Sequence, residues 1–159
     1  MWLLVILPGC FSVRYTFSGA TTEGLETASV QYFANRAPIQ NPGMSQQLTN
    51  MLQDRIISQT NLAIVNGIGD ADFEGAITGL STAPTAISGQ DQAQQNRLTI
   101  TVRVNYTNSG DDELSFDSSF SRYIDYPSTQ TFEQAQNQYM EELLEQIVED
   151  VFNKAFVNW

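Results

Sequence analysis

Leu98, Ile100, Val102, Val104 and Tyr106 alternate without a break with Arg97, Thr99, Thr101, Arg103 and Asn105. A period of two puts the first set on one face of a β-strand and the second set on the other. Upstream, Met44, Leu48, Met51, Leu52 and Ile56 recur every three or four residues. That stripe predicts a helix running to about Gln59, with Ser45 as its N-cap. The longest helical stripe is Phe132, Ala135, Tyr139, Leu143, Ile147 and Val151, widened by Met140, Leu144, Val148, Phe152, Ala155 and Phe156. Thr131 caps it, and Gln134 three residues on completes a capping-box pattern. Roughly 25 residues at 1.5 Å each give a helix about 37 Å long.

Shorter elements fill the gaps between these. Residues 27–33 read as a first strand, Asn35 to Gly43 as a loop holding Pro38 and Pro42, and Leu62-Ala63-Ile64-Val65 as a short apolar strand ended by Asn66-Gly67. Another strand covers 71–80, with Phe73, Gly75, Ile77 and Gly79 on one face, where the glycines predict a bulge or a close backbone approach. Residues 81–95 are polar and low in bulk, hence an exposed loop. Asn108 to Asp112 form a turn, after which Leu114, Phe116 and Phe120 begin an antiparallel partner strand closed by Pro127. Residues 11–24 are rich in Ser, Thr and Gly, lack strong periodicity, and read as a tether with aromatic beads. The order β-α-β-β-β-β-α predicts a right-handed crossover between parallel strands, followed by an antiparallel meander. The expected class is α+β: a two-layer sandwich with two helices packed on one face of a mixed four- to five-stranded sheet. With 159 residues and no repeat or linker, residues 25–159 form a single domain.

Composition narrows the chemistry. Seven Lys+Arg against 18 Asp+Glu leave a net charge of −11, with no histidine and a single cysteine, Cys10. Lack of His excludes Ser-His-Asp and Cys-His nucleophiles, His metal ligands and an imidazole switch. One cysteine makes no intrachain disulfide or thiolate cluster. The acidic balance argues against nucleic acid, and the 42% hydrophobic content argues against a disordered acidic tail. No metal, catalytic or cofactor site is expected. Cys10 instead follows an apolar run, residues 2–7, and then Leu7-Pro8-Gly9, which resembles a bacterial lipobox. The resemblance implies a signal peptide over 1–9, cleavage before Cys10, a lipid on its sulfur, and a lipidated tether over 10–24. The run is too short to span a bilayer, and no basic residue precedes it. The alternative, a buried strand ending at a free thiol, sits poorly with Pro8-Gly9.

Taken in order, several segments resemble the LptE family of lipopolysaccharide-assembly lipoproteins. They are the lipobox, Tyr15 to Ala20, Ser29-Val30-Gln31-Tyr32-Phe33, Ile57 to Leu62, Phe73 to Gly79, Gln95 to Val102, and Phe152 to Trp159. The resemblance implies a non-catalytic lipoprotein held at the periplasmic face of the outer membrane by its lipid on Cys10. It would plug the β-barrel LptD, assist lipopolysaccharide transport and assembly, and have lipopolysaccharide itself as a second partner. The competing reading is an auxiliary lipoprotein of an ABC-type lipid transporter. For contact with lipid phosphates the candidates are Arg97, Arg103 and Arg122. Against that role, simple hairpin pairing sets Asp117 opposite Arg103 as an ion pair, and a bulge near Ser121 would decide the face of Arg122. Glu141, Glu145 and Glu149, four apart, read as a solvated helix face. Asn105-Tyr106-Thr107 matches a glycosylation acceptor by chance, and Trp159 reads as packing.

Overall fold

The computed structural model describes residues 22–39, 41, 43–85 and 94–157. Its elements are β1 (Thr27–Val30), β2 (Ala34–Asn35), α1 (Met44–Gln59), β3 (Ala63–Ile64), β4 (Ala71–Pro84), β5 (Gln95–Asn108), β6 (Phe116–Pro127) and α2 (Phe132–Phe156), with a 3-10 turn at Asp112–Leu114. They form one mixed sheet in the order β3-β1-β4-β5-β6, with two-residue β2 pairing β4 off that path. β1 is parallel to both β3 and β4, while β4, β5 and β6 make the antiparallel meander. The α+β reading therefore holds. The strand count reaches six because the predicted strand 27–33 breaks after Val30, and the chain rejoins β4 at Ala34.

The alternation of β5 decides which face is core. Leu98, Ile100, Val102, Val104 and Tyr106 are fully buried and share one core cluster with Leu48, Leu52 and Ile56 of α1 and Leu143, Leu144 and Ile147 of α2. Tyr106 stacks within 4.7 Å of Phe73 and 5.2 Å of Phe116, ring centre to ring centre. Its hydroxyl accepts a 3.2 Å hydrogen bond from Asn108 Nδ2, and burial pushes the phenol up to about 12.

Four local expectations need correction. Ser45 is not the N-cap of α1: Gly43, at φ 89°, occupies that place without a side-chain bond, and Ser45 is buried in the first turn. There its carbonyl accepts from Thr49 Oγ1, which in turn accepts from the Phe33 amide, so packing against β2's approach replaces a cap. The loop at 81–95 shrinks, because 81–84 continue β4 and Gln95 starts β5; residues 86–93 lie outside the described residues. Gly79 does not share a face with Gly75, because a bulge between Ile77 and Gly79 flips the phase and gives the core position to Leu80. Asp117 lies opposite Asn105, so the expected ion pair with Arg103 forms diagonally and not between directly opposite residues.

Other signals read correctly. Thr131 Oγ1 accepts from the Gln134 amide while Gln134 Oε1 accepts from the Thr131 amide, a complete capping box on the 25-residue α2. Gly75 marks the close approach: a Cβ there would lie 2.2 Å from the Arg103 carbonyl oxygen and 2.7 Å from Phe33 Cε1. The start of β1 is tied down by Asp70. Its Oδ2 accepts from the Glu26 and Thr27 amides at 3.0 Å and from Thr27 Oγ1 at 2.8 Å.

Two outcomes test these points. Gly75→Ala should destabilise the fold by about 3 kcal/mol, since backbone on one side and a buried ring on the other leave no room; urea unfolding would measure it. The Glu26 amide, then Thr27, hold the Asp70 carboxyl below its ordinary value near 3.8. A depressed carboxylate stabilises above the unfolded value and loses that contribution as pH falls through the folded one. Wild type should therefore exceed Asp70→Asn in urea midpoint at neutral pH, and the gap should close below about pH 4.

Candidate functional site

The face of the sheet turned away from the helices is the candidate surface. On β5 it presents Arg97, Thr99, Thr101, Arg103 and Asn105; on β6 it presents Asp117, Ser119, Ser121, Tyr123 and Asp125, as the shared register requires. Strand alternation puts these side chains outward because their neighbours are committed to the core.

Arg97 sits directly opposite Asp125 and grips it with both guanidinium nitrogens, Nε to Oδ1 at 2.8 Å and Nη2 to Oδ2 at 2.9 Å. The same guanidinium lies 3.8 Å above the centre of the Tyr123 ring, a cation–π contact. Arg103, facing Ser119, reaches diagonally to Asp117 with bonds of 2.8 and 2.6 Å. Each fork lowers its aspartate and raises its arginine. Between the pairs, Thr101 and Ser121 share a hydroxyl bond of 3.1 Å.

Beside Arg103 the face dips into a groove of about 510 Å³ lined by residues that include Tyr32, Arg36, Glu74, Thr78, Asn105 and Asp117. Tyr32 is 63% exposed there. Sequence reasoning placed Tyr32 in a strand and did not single out Arg36. Both flank β2, whose two residues carry no period, so no local pattern marked either side chain.

Arg122 is not part of this surface. No bulge intervenes on β6, so Arg122 pairs with Ile100 and shares its helix-side face. It forks onto Asp150 of α2 at 2.6 and 2.5 Å. One turn further, Lys154 Nζ donates to Ser118 Oγ at 2.8 Å and lies 4.9 Å from the Phe116 ring centre. These contacts fasten α2 to β6. Glu141, Glu145 and Glu149 are exposed on the outer side of α2, as expected. Cys10, the tether up to residue 21, and Trp159 lie outside the described residues. Among the described residues no group of three His, Cys, Asp or Glu could hold a metal ion, and no helix is long and apolar enough to cross a membrane.

Comparison with known proteins supplies the context for this fold. A family model described as LptE, Lipopolysaccharide-assembly, matches residues 25–155. No curated protein matches. Among solved structures, a minor lipoprotein of Acinetobacter baumannii is similar at TM-score 0.53 and 10% identity, covering 82% of this chain and 91% of the other. Lipoprotein B of Nitrosomonas europaea gives 0.51 and 13%, with 80% of each chain covered. The PelC dodecamer of Paraburkholderia phytofirmans gives 0.51 and 8%, covering 91% and 94%. At such identities these structures speak for the shared fold alone. The family match spans most of the chain, taking in the sheet, α1 and all but the last residue of α2: the chain belongs to the LptE family of lipopolysaccharide-assembly proteins.

Proposed function

We propose that this chain is a non-catalytic assembly factor, anchored through a lipid on Cys10 at the periplasmic side of the outer membrane and seated in the barrel LptD. The observation that carries the reading is the family match over residues 25–155, joined to a long sheet face made of hydroxyls, amides and ion-paired charges. The lumen of a large transmembrane barrel is polar and hydrated. A protein seated there needs a surface that exchanges hydrogen bonds with water or barrel side chains, with its apolar groups turned inward. The open face fits that need, and the helix layer keeps the core on the other side.

Direct contact with lipopolysaccharide belongs to the same proposal, at Arg97 and Arg103. A phosphate approaching either arginine competes with a carboxylate that already fills the guanidinium fork. Such exposed pairs contribute roughly 0–1 kcal/mol each, so an anionic headgroup can displace the aspartate at small cost. Arg122, engaged with Asp150 on the helix side, is left out of this site.

Isolation of the complex from membranes with the anchor intact tests the seating. Recovery of a large β-barrel is the expected result; recovery of an inner-membrane ABC transporter would establish the auxiliary-lipoprotein reading in its place. For the lipid, Asp117→Asn with Asp125→Asn should free both forks and strengthen lipopolysaccharide binding about threefold to tenfold in low salt, where exposed charges are least screened. Charge reversal at Arg97 and Arg103 should weaken it while the thermal midpoint stays near wild type. Equal binding by all variants in a fluorescence titration would remove these arginines from the lipid site.

A further inference from the structure

β6 is the last strand of the sheet, and among the described residues no strand pairs with its outer side. The direction of its backbone groups follows from the register. The Ser128 amide donates to the Gln94 carbonyl at 3.0 Å, one step beyond the Gln95–Pro127 pair. Bonded and non-bonded pairs alternate in an antiparallel ladder, so even-numbered residues of β6 bond to β5 and odd-numbered ones point out. The Asn108 amide agrees, since it turns toward β6 and finds Ser115 Oγ at 2.9 Å. Asp117, Ser119, Ser121, Tyr123 and Asp125 therefore present their amides and carbonyls along an unpaired edge. The opposite edge of the sheet, β3, is two residues long, whereas β6 has 12. On the helix side the same strand carries Phe116, Phe120 and Ile124, which pack against the core yet stay partly exposed.

A long edge of this kind attracts a further strand. We infer that its occupant is residues 11–17 of this same chain, added antiparallel to β6. Residues 11–24 as a whole lack a strong period, because the alternation is confined to their first eight: Phe11, Val13, Tyr15 and Phe17 alternate with Ser12, Arg14, Thr16 and Ser18 before Gly19 ends the pattern. Placed beside β6, the apolar set continues the row of Phe116, Phe120 and Ile124 over α2. The polar set joins the open face, bringing Arg14 to an edge that bears Asp117 and Asp125.

Chain path and length agree with this placement. At Gly24 the backbone lies beside the β5–β6 connection: a Cβ on Gly110 would sit 3.7 Å from the Gly24 carbonyl oxygen and 3.4 Å from Leu25 Cδ2. That is the end of the sheet where β6 begins, so a segment arriving there from along β6 runs antiparallel to it. Residues 18–24 can span up to about 23 Å at roughly 3.3 Å each, against strand spacings of about 4.8 Å. A second copy of the chain fits less well, since antiparallel pairing of two β6 edges about Ser121 sets Asp117 against Asp125.

Amide hydrogen exchange on the full chain tests the inference. Ser119, Ser121 and Tyr123 amides should exchange at least roughly tenfold more slowly than the exposed Gly67 amide, after correction for intrinsic rates. The double substitution Arg14→Pro and Thr16→Pro removes amides that this register aims at β6. It should bring the Ser119, Ser121 and Tyr123 amides to the Gly67 level while leaving the Val102 amide protected, which shows that the fold persists. Loop-like exchange in the wild type, or protection that survives the two prolines, would overturn the inference. Protection that grows with protein concentration alongside a dimer would overturn it in favour of a second copy.

Discussion

β5 is hydrogen-bonded along both edges, to β4 over residues 96–108 and to β6 over residues 95–106. A slip of one residue against either neighbour would carry Leu98, Ile100, Val102 and Val104 to the open face and send Arg97 and Arg103 into the core. Each aliphatic side chain so exposed forfeits about 1.5–3 kcal/mol, and a buried guanidinium without its carboxylate costs more still. That penalty fixes the register, and the register in turn sets what α1 and α2 cover, which residues line the groove and which acids the arginines can reach. The bulge between Ile77 and Gly79 is tolerated because it lies on β4 and lets Leu80 recover the core position, leaving the alternation of β5 untouched.

The parts of the fold legible in the sequence are those where one local rule acts without competition. β5 alternates over ten residues, and no other period fits it. Thr131 and Gln134 sit at the spacing a capping box demands, ahead of a long apolar stripe, and the structure contains that box. Ser45 failed the same test because the first turn of α1 is buried under the segment leading to β2. There Thr49 takes the Ser45 carbonyl and the Phe33 amide, a tertiary contact that no local pattern announces. β2 escaped detection because two residues carry no period. The site divides in the same way. That Arg97 and Arg103 face away from the core followed from parity alone. Asp117 was legible as the ion-pair partner of Arg103, but its diagonal offset was not, because the 3-10 turn at Asp112–Leu114 takes up residues that a simple hairpin would assign to the strand. Arg122 needed the absence of a bulge, which composition cannot reveal.

The charge of −11 is distributed unevenly between the two layers. α2 carries Glu133, Glu141, Glu142, Glu145, Glu149 and Asp150 against Lys154. The open sheet face sets Arg97 against Asp125 and Arg103 against Asp117 at contact distance. The layer that looks most repulsive to an anion is therefore on the far side of the core. A helix with its side chains is about 10–12 Å across, which exceeds the screening length of about 8 Å at physiological salt. The outer carboxylates of α2 and the sheet arginines are both solvent-exposed and farther apart than that length, so salt in the surrounding water largely screens them from one another.

An acidic protein and an anionic glycolipid are compatible on this geometry when the encounter is one-sided. The sheet face is close to neutral in its central rows, and its arginines are held in fixed, outward orientations by forks that contribute little to stability. In the lipid contact proposed above, such a pair would be a reserve of positive charge, silent while the aspartate is bound and available when a stronger bidentate acceptor displaces it. The aspartate then stays beside the incoming anion and repels it, so the contact remains weak and easily reversed. Contacts of that kind suit the proposed role, in which a glycolipid is bound and then released. A surface of unpaired lysines would bind an anionic glycolipid more tightly and release it more slowly.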